Sequence, residues 1–262
     1  IALREKPDVL MGCMGPTITL VGMLLRVPRL VFYNNETAKA VNLWAQRLAT
    51  AYITSTSYNA PVAGRHVTHQ SYHELAYLHP KYFTPNEKVL REYGIKKPFS
   101  IVRMVSWQSS HDVGAKGISD VFAVVKELEK HGSVYITSEK KLPMLLEKYR
   151  LEVSPEKLHD VLAFASICVG ESATLASEAA CLGVPAVYIA NTFRGYTDEQ
   201  EKKFGLVFNF SSQTEALVKI KELFAMKDMK KEFARRREKM LKTEIDVTQR
   251  MDEFVEGGKW RI

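Results

Sequence analysis

Short apolar runs alternate with longer stretches of helical spacing along almost the whole chain. Residues 9–12 form an apolar run ending in glycine. Residues 17–25 have helical periodicity, 30–33 are apolar again, 38–48 return to helical spacing, and 51–54 read as a third strand. This order predicts a parallel sheet, because parallel neighbours need a crossover and a helix supplies it. The rhythm breaks over 61–98, which holds Pro61, Gly64, Pro80, Pro85 and Pro98 and reads as a linker with one short helix at 86–93. A second alternating block follows. Strands are expected at 99–105, 133–137, 167–170, 185–189 and 206–208, and helices at 118–130, 142–149, 157–165 and 173–182. Ser154-Pro155 supplies a cap and a first-turn proline for the 157–165 helix. Two helices, 227–241 and 246–256, close the chain.

The predicted fold class is therefore α/β, with two Rossmann-like domains of parallel sheets flanked by helices. The 262 residues suit that division. The expected boundaries are 1–80, 81–245 and a C-terminal helical segment, 246–262. The chain opens on Ile1 with no basic-then-apolar leader, and the first domain is expected to be incomplete, with an apolar edge or groove exposed. No apolar run approaches the roughly 18 residues that a membrane span needs.

Charge adds one feature. The net charge is +7, and much of the excess lies in 227–242, including Lys230-Lys231 and Arg235-Arg236-Arg237. A solvated helix face and contact with an anionic membrane are the two readings of that segment. Cys13, Cys168 and Cys181 lack metal-ligand spacing, which fits a reducing compartment and two small core thiols. His66, His69, His73 and His79 carry no acid-completed metal motif.

The strongest chemical signal is the run from Gly170 to Pro185. An apolar strand stops at Gly170, and Glu171-Ser172-Ala173-Thr174 open a helix. Free N–H groups and the positive dipole end at a helix start suit a pyrophosphate. Ser172 and Thr174 add hydroxyls, and Ala173 allows close approach. Glu178, six residues after Ser172, could accept bonds from two ribose hydroxyls, and Gly183 ends the helix. An ordinary N-cap followed by a surface acid would give the same letters. The second signal is the loop after the 99–105 strand, where Ser106, Ser109, Ser110, His111, Gly114, Lys116 and Gly117 gather behind Arg103. An arginine inside a strand implies a buried partner or a ligand-facing position.

These residues resemble the donor-binding motifs of GT-B-fold nucleotide-sugar enzymes. The likeness is to the UDP-N-acetylglucosamine 2-epimerases and to a related prokaryotic glycosyltransferase-like family. In the epimerases a Ser-Gly-Gly turn opens the helix and a Glu follows six residues after the Ser; Ser172-Ala173-Thr174 and Glu178 stand at those places. Arg194 is the nearest match to an Arg that follows the next strand. His111 matches the His of a His-Arg pair that contacts the diphosphate, Asp112 replaces the Arg, and Lys116 would restore its charge. Glu74-Leu75-Ala76-Tyr77-Leu78-His79-Pro80 resembles a stretch that lines the cleft between domains in the glycosyltransferase-like family. The resemblance implies that the second domain holds the donor through Gly170, Ser172, Ala173, Thr174, Glu178, Arg194, Arg103 and Lys116. The first would then present the acceptor, and the resemblance also implies that the 246–262 segment packs back toward it.

Acids used for proton transfer in the epimerases are mostly missing. Residues 12–17 supply none, Glu36 fits a second position, and 38–48 contain no acid. Epimerisation at C2 needs such groups, whereas glycosyl transfer can run on leaving-group stabilisation and one base. The expected function is a glycosyltransferase using a nucleotide-diphosphate sugar, UDP-linked by resemblance, with His111 and Glu36 as catalytic candidates and no cofactor or metal. A 2-epimerase-like enzyme and a non-catalytic nucleotide-sugar-binding relative are the alternatives. Expected partners are the nucleotide sugar, an acceptor whose chemistry is not legible, a second copy of the chain and peripheral membrane contact, with no nucleic acid. The setting implied is cytoplasmic, at or near the inner membrane face, in cell-surface polysaccharide biosynthesis.

Overall fold

The computed structural model describes residues 1–13, 15–106, 117–139, 141–192, 194–258 and 260. They form two compact units. The first comprises Ile1–Ala76, Arg194–Tyr196 and Glu244–Ile262, and the second comprises Tyr77–Phe193 and Thr197–Thr243.

The first unit holds four parallel strands, β1 (Leu10–Cys13), β2 (Arg29–Phe32), β3 (Ala51–Ser55) and β4 (His66–His69), in sequential order. Successive side chains of a strand point to opposite faces, so a sheet covered on both sides reads as continuous apolar runs. Leu30, Phe32, Ala51 and Ile53 pack on one face with Phe254 and Trp260. Val31 and Tyr52 pack with Ala45, Ile18 and Val62 in a separate cluster. Full burial of each large aliphatic or aromatic side chain contributes about 1.5–3 kcal/mol. The Val247–Glu256 helix thus completes the first unit's core, although it lies last in the chain. On the helices Pro16–Leu25 and Lys39–Leu48, Leu20, Met23, Leu24, Leu43 and Trp44 are exposed.

The second unit holds β5 (Phe99–Met104), β6 (Ser133–Ser138), β7 (Ile167–Gly170), β8 (Ala186–Ile189) and β9 (Val207–Phe210), all parallel, in the order β6-β5-β7-β8-β9. The chain moves outward from β5 to β6, then returns to the other side of β5 with β7. That reversal makes the carboxyl ends of β5 and β7 the switch point of the sheet, the place where open α/β sheets leave a crevice for ligands.

The elements differ from the sequence expectation in several places, among them a second linker helix at Leu75–Leu78 and a helical stretch made of Gly195–Glu199 and Gln200–Phe204. The linker contains β4, whose His66-Val67-Thr68-His69 has one apolar residue in four and pairs with β3 through the backbone. Residues 142–149 wind as a 3-10 helix, Met144–Tyr149, entered through the extended Pro143. Ser154 makes no capping bond; its Oγ lies 3.2 Å from the Tyr93 hydroxyl, and a 3-10 turn leads into the Leu158–Leu162 helix. A helix at Gln213–Phe224 buries Ala216, Ile220 and Leu223 at the spacing of one helical face.

Candidate functional site

At the switch point, β7 ends one residue before Glu171. Gly170 pairs with Arg103 of β5, and a Cβ added there would fall 2.5 Å from the Arg103 carbonyl oxygen and 2.9 Å from its Cβ. The two strands can lie this close at their carboxyl ends only with glycine at this position. Ser172 is the N-cap of the Ala173–Leu182 helix, its Oγ accepting from Leu175 N at 3.2 Å. Ala176 N donates to the Ser172 carbonyl, so the first-turn donors of Ala173 and Thr174 stand at the positive end of a ten-residue helix. Ala173 is buried and Thr174 exposed. The helix ends at Gly183, whose left-handed φ of 79° closes it.

Glu171 is the residue that sequence reasoning missed here. It is buried, and its carboxylate accepts from Val105 N at 3.0 Å and Ile118 N at 2.8 Å. It thereby ties the backbone just after β5 to that at Ile118. Glu139 holds the same segment at Ser106 N, 3.1 Å away, and pairs with Arg103 at 2.7 Å. The partner of Arg103 is thus an exposed carboxylate rather than the buried one that an arginine inside a strand leads one to expect. No sequence pattern shows that two acids, 53 or more and 33 or more residues downstream, would meet these N–H groups. His111 and Lys116, named as site residues from the sequence, lie outside the described residues.

Glu178 sits on the same helix with 8% of its surface exposed. The Tyr77 hydroxyl donates to its Oε1 at 2.8 Å, and His159 Nε2 lies 3.0 Å from the same oxygen. Tyr77 and His159 also touch ring to ring, with centroids 5.5 Å apart. Among the described residues these contacts fall on Oε1. The carboxylate is therefore held in one orientation by a phenol and an imidazole.

Glu36 and Arg194 stand in the first unit. The Arg194–Tyr196 segment, which the boundaries expected from sequence put in the second domain, groups with the first unit. Glu36 Oε1 accepts from Gly195 N at 3.1 Å, and Gly195 packs directly on the Ser57 carbonyl, where no side chain would fit. Burial raises the Glu36 carboxyl above the usual carboxylate range, against the hydrogen bonds and the Arg194 charge that lower it. Its Oε2 is buried without a hydrogen-bond partner among the described residues. Arg194, 8% exposed, also acts electrostatically on Tyr33. The four linker histidines go separate ways. His66 Nε2 lies 2.9 Å from Thr54 Oγ1, His79 Nδ1 accepts from Lys81 N, His69 is buried and His73 faces Cys13.

No protein-family model matches the chain, and no curated protein matches it. Its fold matches solved structures of nucleotide-sugar enzymes. The UDP-GlcNAc 2-epimerase of Methanocaldococcus jannaschii is similar at a TM-score of 0.58 and 14% identity, over 84% of this chain and 71% of that one. MnaA of S. aureus, in a co-structure with UDP, is similar at 0.65 and 12%, over 100% and 78%. MurG of Acinetobacter baumannii is similar at 0.54 and 15%, over 98% and 75%. At these identities the likeness establishes the fold. The chain has the GT-B-type fold of two parallel-sheet units that these epimerases and glycosyltransferases share.

Proposed function

We propose that the chain is a GT-B-type glycosyltransferase that takes a nucleotide-diphosphate sugar, UDP-linked, as its donor. One observation carries the reading. The switch point of the second sheet combines a helix start at Ser172–Thr174, exposed at Thr174, with the oriented carboxylate of Glu178 on the same helix. The helix start would hold the diphosphate and stabilise the charge that grows on it as the glycosidic bond breaks. Glu178 would accept the ribose hydroxyls. Similar folds are solved with UDP-GlcNAc and UDP in the M. jannaschii enzyme and with UDP in S. aureus MnaA, which supports the choice of base. His111 and Lys116 are assigned to the diphosphate from sequence. Arg103, engaged by Glu139, is assigned to shaping the loop as well as to the donor.

In the first unit Glu36 is the proposed base for the acceptor hydroxyl. A carboxyl raised by burial exchanges a proton closer to neutral pH than an ordinary one. Fold does not fix function, so the test must separate chemistries. The chain is incubated in D2O with a panel of UDP, GDP and CMP sugars, with and without sugar and lipid-linked acceptors. Transfer predicts nucleoside-diphosphate release that depends on an acceptor, with no deuterium at sugar C2. Deuterium at C2 would instead favour the epimerase-like alternative, and binding with neither outcome would favour the non-catalytic one.

A further inference from the structure

Cys13 ends β1 and is exposed, whereas Cys168 and Cys181 are buried. Its Sγ lies 3.5 Å from His73 Nε2, a side chain sixty residues away that β4 and its following turn bring to the same end of the sheet. Gly15, two residues after Cys13, begins the ten-residue Pro16–Leu25 helix. A thiolate is favoured beside an imidazolium and near a helix N-terminus, and the thiolate is the nucleophile. The other groups around the pair are consistent. Glu74 is buried and acts on His73 in the sense that favours its protonated form. His69, 7% exposed, is held neutral by burial and by the neighbouring charges of His73 and Arg250, and its Nδ1 is buried with no hydrogen-bond partner among the described residues. Tyr33 is coupled electrostatically to Cys13.

We propose that Cys13, paired with His73 at the carboxyl end of the first sheet, is a nucleophilic thiol that hydroperoxides oxidise to a sulfenic acid. The thiolate sulfur attacks the terminal oxygen of ROOH. An S–O bond forms, the O–O bond breaks, and the leaving alkoxide takes the proton of the His73 imidazolium. The products are Cys13 sulfenic acid, neutral His73 and ROH; sulfur loses two electrons and the hydroperoxide gains them. The His73 hydrogen bond lowers the Cys13 thiol from its usual range although burial opposes it, and the same bond raises His73. This chemistry does not depend on the proposed glycosyl transfer.

The test is the pH dependence of iodoacetamide alkylation, resolved by residue with mass spectrometry, on the full chain and on His73→Gln. Cys13 is expected to reach half its maximal rate well below the ordinary thiol value of about 8.5, and at neutral pH to react roughly tenfold faster than in His73→Gln. After stoichiometric hydrogen peroxide, dimedone is expected to label Cys13 and neither other cysteine. Should His73→Gln fail to fold, the ultraviolet thiolate titration of the wild type minus that of Cys13→Ser gives the same value directly. A Cys13 midpoint at or above about 8.5 overturns the proposal, as does an unchanged rate in His73→Gln or an absent dimedone adduct.

Discussion

At the scale of single residues, the account rests on how Glu178 is held. Tyr77 donates to the oxygen that also faces His159, so removing the hydroxyl takes away one of the two groups that orient the carboxylate without unpacking the ring. Tyr77→Phe is expected to weaken donor binding roughly three- to tenfold, the range for one hydrogen bond, with little change in melting temperature. His69 gives a second test. Burial, with the nearby charges of His73 and Arg250, pushes its imidazole down to about 4 from an unfolded value of 6.5. As pH falls below 6.5 the unfolded chain takes up a proton that the folded one refuses. Stability is therefore retained above 6.5 and lost progressively toward 4, by at most roughly 3 kcal/mol from this group. His73, raised rather than lowered, acts in the opposite sense and above 6.5, where its contribution is lost as pH rises through its folded value. Urea unfolding across pH 7 to 4 should show a smaller loss in His69→Gln than in wild type; equal losses would contradict the assignment.

At the scale of elements, strand ends position the chemistry. Gly170 has the Arg103 carbonyl against the place its Cβ would take, so Gly170→Ala must push β7 from β5. The expected cost is about 1–3 kcal/mol of stability, the usual range for overpacking, read as a lower melting temperature together with weaker donor binding. Glu171→Gln leaves one of two backbone donors, Val105 N or Ile118 N, facing an amide N–H, so donor affinity should fall with little change in the core. Most strands were legible because buried parallel strands are apolar throughout, as in Ile167-Cys168-Val169-Gly170. β4 was not, because His66-Val67-Thr68-His69 has no such run; it is held by pairing to β3 and by the one apolar residue, Val67, that packs on the core. The Gln213–Phe224 helix is absent from the sequence expectation although Ala216, Ile220 and Leu223 hold the spacing of one buried helical face. Ser172 and Gly183 were legible as cap and stop because local chemistry decides them. Glu171 and Glu139 were not, because their partners are fixed only by the tertiary fold.

At the scale of the whole molecule, two parallel-sheet units were legible from two alternating blocks and their GT-B type from the resemblance, whereas the membership of Arg194–Tyr196 in the first unit depends on packing that composition does not encode. The basic segment is partly structural. Arg236 donates to the Gly205 carbonyl and Arg237 to the Cys181 carbonyl, while Arg235 pairs with Glu232 at the surface. Changing Arg236 or Arg237 would disturb these ends as well as the charge. Lys230→Gln, Lys231→Gln and Arg235→Gln combined remove exposed charge at the loss of one surface ion pair, and the account expects nucleotide affinity to be unchanged. Salt-sensitive binding of the wild type to phosphatidylserine vesicles, lost in that variant, would give the segment a membrane role instead. Among the described residues no helix is long and apolar enough to cross a membrane. The central claim is that the Ala173–Leu182 helix binds a nucleotide diphosphate through its start and Glu178. Titration calorimetry of wild type and Glu178→Gln with UDP, GDP, CMP and their sugars tests it most directly. The account predicts saturable binding of a UDP sugar by the wild type, weakened roughly ten- to a hundredfold in Glu178→Gln, since a hydrogen bond to a charged group contributes about 1.5–3 kcal/mol. No binding of any nucleotide sugar by the folded wild type, or equal affinity in the two proteins, would contradict it.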